Sequence, residues 1–523
     1  MNELPFSTVD TCDTLCSACH VLAKTGGDRD AFVSENRSIR FDQLQISSHR
    51  VANALRDEGC DEGTRVAVIG GDAIASYELL FGCAMAGCVL VPVNWRLSPT
   101  ELIRIIEDSE ARLLMIDTPA LDKLRSSGCD LPAGVKLLTF DEFARWRDEA
   151  DFAAIDCRAT SETPLVQIYT SGTTGVPKGV VLAHRSFFQL RRSMRSVGDD
   201  WMGLHAGDRL LLTLPQFHIG GLWWAIQGYL VGATGYLMPA FTGWQAIELI
   251  ERHRITQVPM VPAMIQFSMA EPTFESANFS SVRGFLYGGS PISGDLLASA
   301  QQAFSQAEFF QIYGLTETGN MAVCLRPEDH NRDDRRLATG RPLSGVSCKI
   351  IQPDGTTAPA NAVGEVWLKS PSVMLEYWKR PEETADTLSD GWIRTGDAGY
   401  LAEDGCLYVC DRLKDMIIYA GENLFPAEIE TVLRQHDAIG DVAVIGVPDP
   451  KWGESPKAFI ELRHGSEKPK VRELLRFAKS QLAEFKVPKS FEFVDQLPRN
   501  PSGKVLKKTL RQPYWENQQR KVN

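Results

Sequence analysis

Along the N-terminal part of the chain, short apolar blocks, RVAVIG (65–70), CVLVPV (88–93) and ARLLMI (111–116), trade places with longer helix-like stretches, ASYELLFGCAMAG and PTELIRIIEDS, each punctuated by Pro or Gly. Strand followed by helix followed by strand, repeated, is the pattern of an α/β fold with mostly parallel sheets. The alternation continues through RLLLTLP, ITQVPMV, GFLYGG and EFFQIYG, with no fixed-period repeat. After about residue 340 the texture changes to GVSCKIIQPDG, GEVWLKS and GCLYVCDR, strand-and-turn patterns cornered by Gly and Asp. From Leu413 onward the order becomes strand, helix (PAEIETVLRQH), two strands (DVAVIGV, KAFIELR) and helix (VRELLRFAKSQLA). The expected architecture is a large N-terminal domain, 1–412, of mixed, mainly parallel sheets with helices plus a β-rich subdomain over 340–412. A small α+β domain, 413–523, follows it.

Composition narrows the field. At 523 residues, with 44% apolar and 23% charged positions, the chain is an ordinary globular protein of more than one domain. Its 55 Lys and Arg against 67 Asp and Glu give a net charge of −12, which argues against a broad nucleic-acid surface. An anionic ligand must therefore meet local cations. No stretch reaches the roughly 18 apolar residues of a membrane span, and acidic residues stand near the N-terminus where a signal peptide is basic, so a cytoplasmic protein is expected. Cys12, Cys16 and Cys19 lack a matching downstream cluster, which favours reduced structural thiols over a metal site.

One stretch stands out against this background. YTSGTTGVPKG (169–179) sets three glycines, four Ser or Thr hydroxyls and Lys178 into eleven positions directly after the apolar run PLVQI. Backbone N–H groups freed by glycine, with hydroxyls and one ammonium, make a cradle for phosphate oxygens. A Walker P-loop is excluded, because position 177 is Pro and the residue after Lys178 is Gly.

Further motifs follow in order: QIYGLTETG (311–319), GWIRTGDAGY (391–400), DRLKDMIIYAGENLFPAEIE (411–430) and NPSGKVLKKTLR (500–511). Together with the glycine-rich stretch they resemble the ordered core motifs of the acyl-adenylate-forming enzymes, which include acyl- and aryl-CoA ligases, luciferases and the adenylation domains of peptide synthetases. The resemblance implies ATP as substrate, Mg²⁺ as its counter-ion and coenzyme A as acceptor. It assigns the β- and γ-phosphates to Thr170, Ser171, Gly172, Thr173, Thr174, Gly175 and Lys178. Tyr313 would stack on adenine, bordered by Gln311, Gly314 and the turn Gly288, Gly289 and Ser290, while Thr316 would bond the α-phosphate and Glu317 would hold Mg²⁺. Outside the set, Tyr313 reads as a core aromatic and Glu317 as a solvated turn residue.

Asp397 would accept both ribose hydroxyl protons and Arg412 would bond the ribose from the other side. Lys504 would bridge carboxylate and α-phosphate oxygens in the first half-reaction, whereas Lys507 and Lys508 read as a solvated basic face. His218, in LPQFHIGG, matches the position beside the substrate carboxylate, with a satisfied core histidine as the alternative; His184 reads as structural. Ala420 and Gly421 would line the tunnel for the thiol arm, which points to thioester formation, and Lys414 would be the pivot of a mobile C-terminal domain. A peptide-synthetase module would continue into a carrier domain, whereas 19 residues follow Lys504.

The pocket segments FHIGGLWWAI, VPMVPAMI and LYGGS contain no Asp, Glu, Lys or Arg, so a fatty or aryl acid fits better than an amino acid. His218, Gly220, Gly221, Trp223, Val261, Met264 and Gly288 are its candidate walls, with the two glycines leaving room and one of Trp223 and Trp224 free to be mere core packing. The expectation is an AMP-forming carboxylate–CoA ligase acting on a medium- or long-chain aliphatic acid, with an aryl- or steroid-side-chain acid as the alternative. A homodimer is compatible with this reading.

Overall fold

The computed structural model describes residues 9–516 apart from Asn36, 172–176, Trp201, 333–334, 336–337, 420–421 and 500–504. The chain divides into two compact units, Met1–Cys348 with Leu368–Arg394, and Lys349–Trp367 with Thr395–Asn523.

The first unit carries a nine-stranded and a seven-stranded sheet. In the seven-stranded sheet Arg65–Ile69 runs parallel to both of its neighbours, Val89–Val93 and Leu113–Ile116. All three strands are buried, which explains why they read as unbroken apolar runs rather than alternating ones. Helix Pro99–Ser109 starts where the Ser98 hydroxyl accepts from Glu101 N–H and the Glu101 carboxylate accepts in return from Ser98, with Pro99 in the first turn. Its Leu102, Ile105 and Ile106 join the core formed with Ile69, Val91 and Leu114.

Six elements of this unit position the candidate site. Strands β1 (Pro164–Ser171) and β2 (Pro177–Ala183) form an antiparallel hairpin in which Thr170 faces Lys178 and Ser171 faces Pro177. Helix α1 (Arg185–Ser196) follows at once, and helix α2 (Ile219–Leu230) comes after the next strand. In the nine-stranded sheet, β3 (Gly284–Gly288) and β4 (Glu308–Tyr313) are parallel neighbours with Tyr287 opposite Gln311. Both sheets are parallel at the centre; both edges of the nine-stranded sheet and one edge of the seven-stranded sheet are antiparallel, as the mixed α/β reading expects.

In the second unit, β5 (Trp392–Leu401, its first residues in the first unit) pairs antiparallel with β6 (Leu407–Arg412), setting Asp397 directly opposite Arg412. A further sheet has Gly453–Leu462 at its centre and Ile439–Asp449 along one edge, and its core is filled by Ile429, Leu433, Val444, Ile460 and Leu474. Helix α3 (Lys507–Trp515) is the last described element. The 412/413 limit drawn from the sequence falls inside this unit, immediately after β6. Among the described residues no helix is long and apolar enough to cross a membrane.

Candidate active site

The β1–β2 hairpin ends in the segment 172–176, so Gly172, Thr173, Thr174 and Gly175 lie outside the described residues, and Ser171 is described by its backbone alone. Thr170 and Lys178 sit opposite each other at the base of that tip. The Lys178 ammonium pairs with Glu383 and lies 4.9 Å from the centroid of the Tyr377 ring. The face of that ring is electron-rich and attracts a cation.

The same tyrosine reaches the second motif. Its hydroxyl donates to Glu317 Oε1 at 2.6 Å, while the Glu317 carbonyl accepts from Met374 N–H at 2.8 Å. Burial, reinforced by the Glu317 carboxylate, pushes the Tyr377 phenol well up, so it remains a donor at physiological pH. Lys178 and Glu317, one assigned to phosphate and the other to metal, are thus tied to one side chain. Nothing in the sequence reading singled out Tyr377 or Glu383; the fragment EYWKRP lies some two hundred positions from the glycine-rich stretch and carries no phosphate-binding composition of its own.

YGLTETG owes its shape to two contacts. A Cβ on Gly314 would stand 2.1 Å from the Asn320 carbonyl oxygen, closer than any side chain can come, so only glycine lets the chain double back there. The Thr318 hydroxyl then accepts from Leu315 N–H at 2.9 Å and closes the single 3₁₀ turn Thr316–Thr318. Gln311 and Tyr313 alternate along the same face of β4 just before the turn, and Gly289 and Ser290 are exposed beyond the end of β3, with Gly288 as its last residue. Val261 starts helix Pro262–Met269 with its Cγ1 beside Gly289, and Met264 packs partly buried in the same layer.

His218 precedes α2 and its N–H donates to the Pro215 carbonyl at 3.0 Å. Burial, with the Arg96 charge in support, lowers its pKa to about 4, so the ring is neutral at pH 7; Nε2 is buried without a hydrogen-bond partner. The loop before it is pinned by Asp72, a residue the sequence reading missed, whose Oδ1 accepts from Gln216 N–H at 3.2 Å. Complete burial pushes the Asp72 carboxyl up to about 7.

The two glycines of this segment part company. Gly220 is open, its nearest neighbour 3.4 Å from a built Cβ, but at Gly221 a Cβ would meet the Leu214 carbonyl oxygen at 2.2 Å. Gly221 therefore leaves no room for a ligand; it lets the first turn of α2 press against the preceding loop. The tryptophans divide as well. Trp224 is fully buried and donates from Nε1 to the Leu211 carbonyl at 3.1 Å, whereas Trp223 lines a small, partly open cavity between α1 and α2. His184 serves the fold, accepting from Leu15 N–H at 3.1 Å through Nδ1.

In the second unit the cross-strand pair closes as an ion pair, Arg412 Nε to Asp397 Oδ1 at 2.7 Å, with Asp397 buried and Arg412 also donating to the Thr395 carbonyl at 3.2 Å. Lys414 is exposed in the turn Leu413–Asp415, and its carbonyl accepts from Arg511 of α3 at 2.8 Å. Ala420, Gly421 and Lys504 lie outside the described residues. Lys508 is solvent-exposed as expected, but Lys507 is not: its ammonium is held 2.8 Å from Glu430 with little side-chain exposure.

Residues 20–378 match the model of the AMP-binding enzyme family, and residues 428–504 match the AMP-binding enzyme C-terminal domain. The chain belongs to the AMP-binding enzyme family. Among family members it is 46% identical over 498 residues, 94% of this chain and 95% of the other, to a fatty acid–[acyl-carrier-protein] ligase of Streptomyces coeruleorubidus. It is 35% identical over 492 residues, 92% and 95% of the two chains, to a long-chain-fatty-acid–CoA ligase of Mycobacterium tuberculosis. In three dimensions it is similar to the o-succinylbenzoate CoA synthetase of Bacillus subtilis in complex with its acyl-adenylate intermediate, with a TM-score of 0.84, 31% identity and coverage of 94% and 97%.

Proposed function

We propose that this AMP-binding enzyme is an ATP-dependent carboxylate–CoA ligase for medium- or long-chain aliphatic acids. A carboxylate oxygen attacks the α-phosphorus of ATP, the bond to pyrophosphate breaks, and an acyl-adenylate forms. A thiolate then attacks the acyl carbon and AMP leaves. The observation that carries the acid class is the 46% identity, along nearly the whole chain, to a fatty acid ligase.

In this reading Thr170, Lys178 and residues 171–175 hold the phosphates, and Thr316 and Lys504 stabilise the charge that builds on carboxylate and α-phosphate oxygens. Tyr313, Gln311, Gly314 and the 288–290 turn border the adenine, and Asp397 with Arg412 takes the ribose. The neutral His218, its Nε2 unpartnered, orients the acid. Mg²⁺ fits Glu317: it is ordinarily bound through one or two carboxylates and the substrate's own phosphates, and no group of three or more ligating side chains exists among the described residues. When bound it would neutralise phosphate charge. The 413–523 segment reorients between half-reactions about Lys414, bringing Ala420 and Gly421 to the acyl group. The twelve free thiols suit a reducing, cytoplasmic setting.

A second reading of the acceptor, a carrier protein's phosphopantetheine thiol, is favoured by the name of the 46% identical relative. One experiment separates the two. The enzyme is charged with ATP and a fatty acid, pyrophosphate is measured, and the product is chased with CoA or with a holo carrier protein. Thioester on CoA supports the proposal, thioester on the carrier alone supports the second reading, and no acid-dependent pyrophosphate would refute both.

A further inference from the structure

Two thiols that the proposed reaction does not use meet in the first unit. Cys16 is buried in the first turn of helix Leu15–Gly26, which starts where the Thr14 hydroxyl accepts from Ser17 N–H. Cys157 stands in the segment that leads into β1, half-buried between the exposed Asp156 and Arg158, and packs against the core to which Cys16 belongs. That segment has anchors of its own. Asn53 Nδ2 donates to the Asp151 and Ala153 carbonyls at 2.9 and 3.0 Å, and Ile155 N–H donates to His49 Nδ1 at 3.2 Å. Each sulfur is thus presented to the other by backbone that is held in place.

The contact has a direction. The Cys16 thiol donates to the Cys157 sulfur, and the Ala159 N–H donates to the same atom. When protonated, that sulfur donates in turn to the Ala84 carbonyl at 3.8 Å. Two donors aimed at one sulfur favour its thiolate and hold the Cys157 thiol below the ordinary range, while the bond it donates and its burial push the Cys16 thiol well up. Cys19, Cys83, Cys88 and Cys324 differ: they are buried, and burial pushes their thiols up, which leaves them inert. Cys157 combines access to solvent, thiolate character and a second thiol in contact, the combination that makes a cysteine sensitive to oxidation.

We propose that Cys157 and Cys16 form a redox modification site, which a hydroperoxide converts into an intramolecular disulfide. The Cys157 sulfur attacks one peroxide oxygen, the O–O bond breaks, and the leaving alkoxide or hydroxide takes up the thiol's proton. Cys157 is then a sulfenic acid. The Cys16 sulfur attacks the Cys157 sulfur, the S–O bond breaks, and the departing hydroxide leaves as water with the Cys16 proton. The two thiols lose two electrons and two protons, and the peroxide gains them as water and an alcohol, or as two waters. A small dithiol reverses the change by exchange. The bond would join two neighbours of the β1–β2 hairpin: the helix whose Leu15 N–H donates to His184 just after β2, and the segment that runs into β1.

The test treats the reduced full chain with hydrogen peroxide in equimolar amount, blocks the remaining thiols with N-ethylmaleimide and maps the peptides without reduction. A peptide pair joined through Cys16 and Cys157 should form, and dithiothreitol should release it. Its yield should exceed oxidation at Cys129, Cys348 and Cys410, the other half-buried thiols and hence internal controls, by about tenfold. C16S should replace the link with a sulfenic acid on Cys157, trapped by dimedone, and C157S should lose both the link and the adduct. The wild-type map decides the matter without either variant, so poor folding of a serine variant does not shelter the proposal. An unreacted Cys157, earlier oxidation at Cys129 or another cysteine, a link from Cys157 to Cys12 or Cys19, or a link between two copies of the chain would each overturn it.

Discussion

The rim formed by the β1–β2 hairpin and the Thr316–Thr318 turn and the cavity between α1 and α2 lie in the same compact unit but are built by different means. The rim is made of backbone: a hairpin that sets Thr170 opposite Lys178, a 3₁₀ turn and a glycine that must accept a carbonyl at 2.1 Å from where its Cβ would be. Such constraints leave their mark on contiguous residues. The cavity is made of side chains spread over the chain, Ser186 on α1, Trp223 on α2 and Ser372 beyond both, and only packing brings them together. One region advertises itself as a motif, and the other exists only after folding.

The largest effect expected of any substitution is from Lys504→Ala, at a position outside the described residues. Loss of one preorganised charge contact costs about 3–4 kcal/mol, roughly a hundred- to thousandfold in acyl-adenylate formation, while thioester formation from supplied acyl-AMP and CoA stays largely intact. Rapid-quench assays of the separate half-reactions check this, and equal damage to both would contradict the role.

The neutral His218, just before α2, makes a prediction about stability. Its folded pKa of about 4 lies below the usual 6.5, so the unfolded chain takes up a proton that the folded chain refuses. Stability from this group is complete above pH 6.5 and declines as pH falls toward 4, by up to about 3 kcal/mol. Urea titrations over that range should show a shallower decline in His218→Gln, and parallel curves would remove the burial argument.

Gly221→Ala separates backbone packing from a pocket-wall role at this position. If the glycine is there for backbone contact, the alanine should lower stability by about 1–3 kcal/mol, since a Cβ must push α2 off the Leu214 carbonyl. A stable variant with an altered acid profile would restore it to the pocket wall. Smallest is Tyr377→Phe, which keeps the ring beneath Lys178 but deletes the bond to Glu317. A hydrogen bond to a charged group is worth about 1.5–3 kcal/mol at most, and water can replace part of it here, so adenylation should slow by about three- to tenfold. An unchanged rate would mean that the two motifs are not coupled through this residue.

The division between rim and cavity also explains what could be read in advance. Runs such as RVAVIG and PTELIRIIEDS became Arg65–Ile69 and Pro99–Ser109 within a residue or so, because burial of a parallel strand and the capping of a helix are local signals. The order of the motifs identified the family. Tyr377, Glu383 and Asp72 were invisible because a tyrosine or an acid acquires meaning only from the partner that folding supplies. Gly221 was misread as space and Lys507 as surface for the same reason, one being filled by a carbonyl and the other half-buried against Glu430.

The central claim, that an acid carboxylate is joined to AMP before the thiol arrives, is tested most directly with a fatty acid labelled with ¹⁸O in its carboxyl group. The carboxylate oxygen that attacks the α-phosphorus stays on phosphorus when the thiolate displaces AMP. Mass spectrometry of the products should therefore find one labelled oxygen in AMP and none in pyrophosphate. Label in inorganic phosphate with ADP as co-product, or unlabelled AMP after complete conversion, would contradict the account.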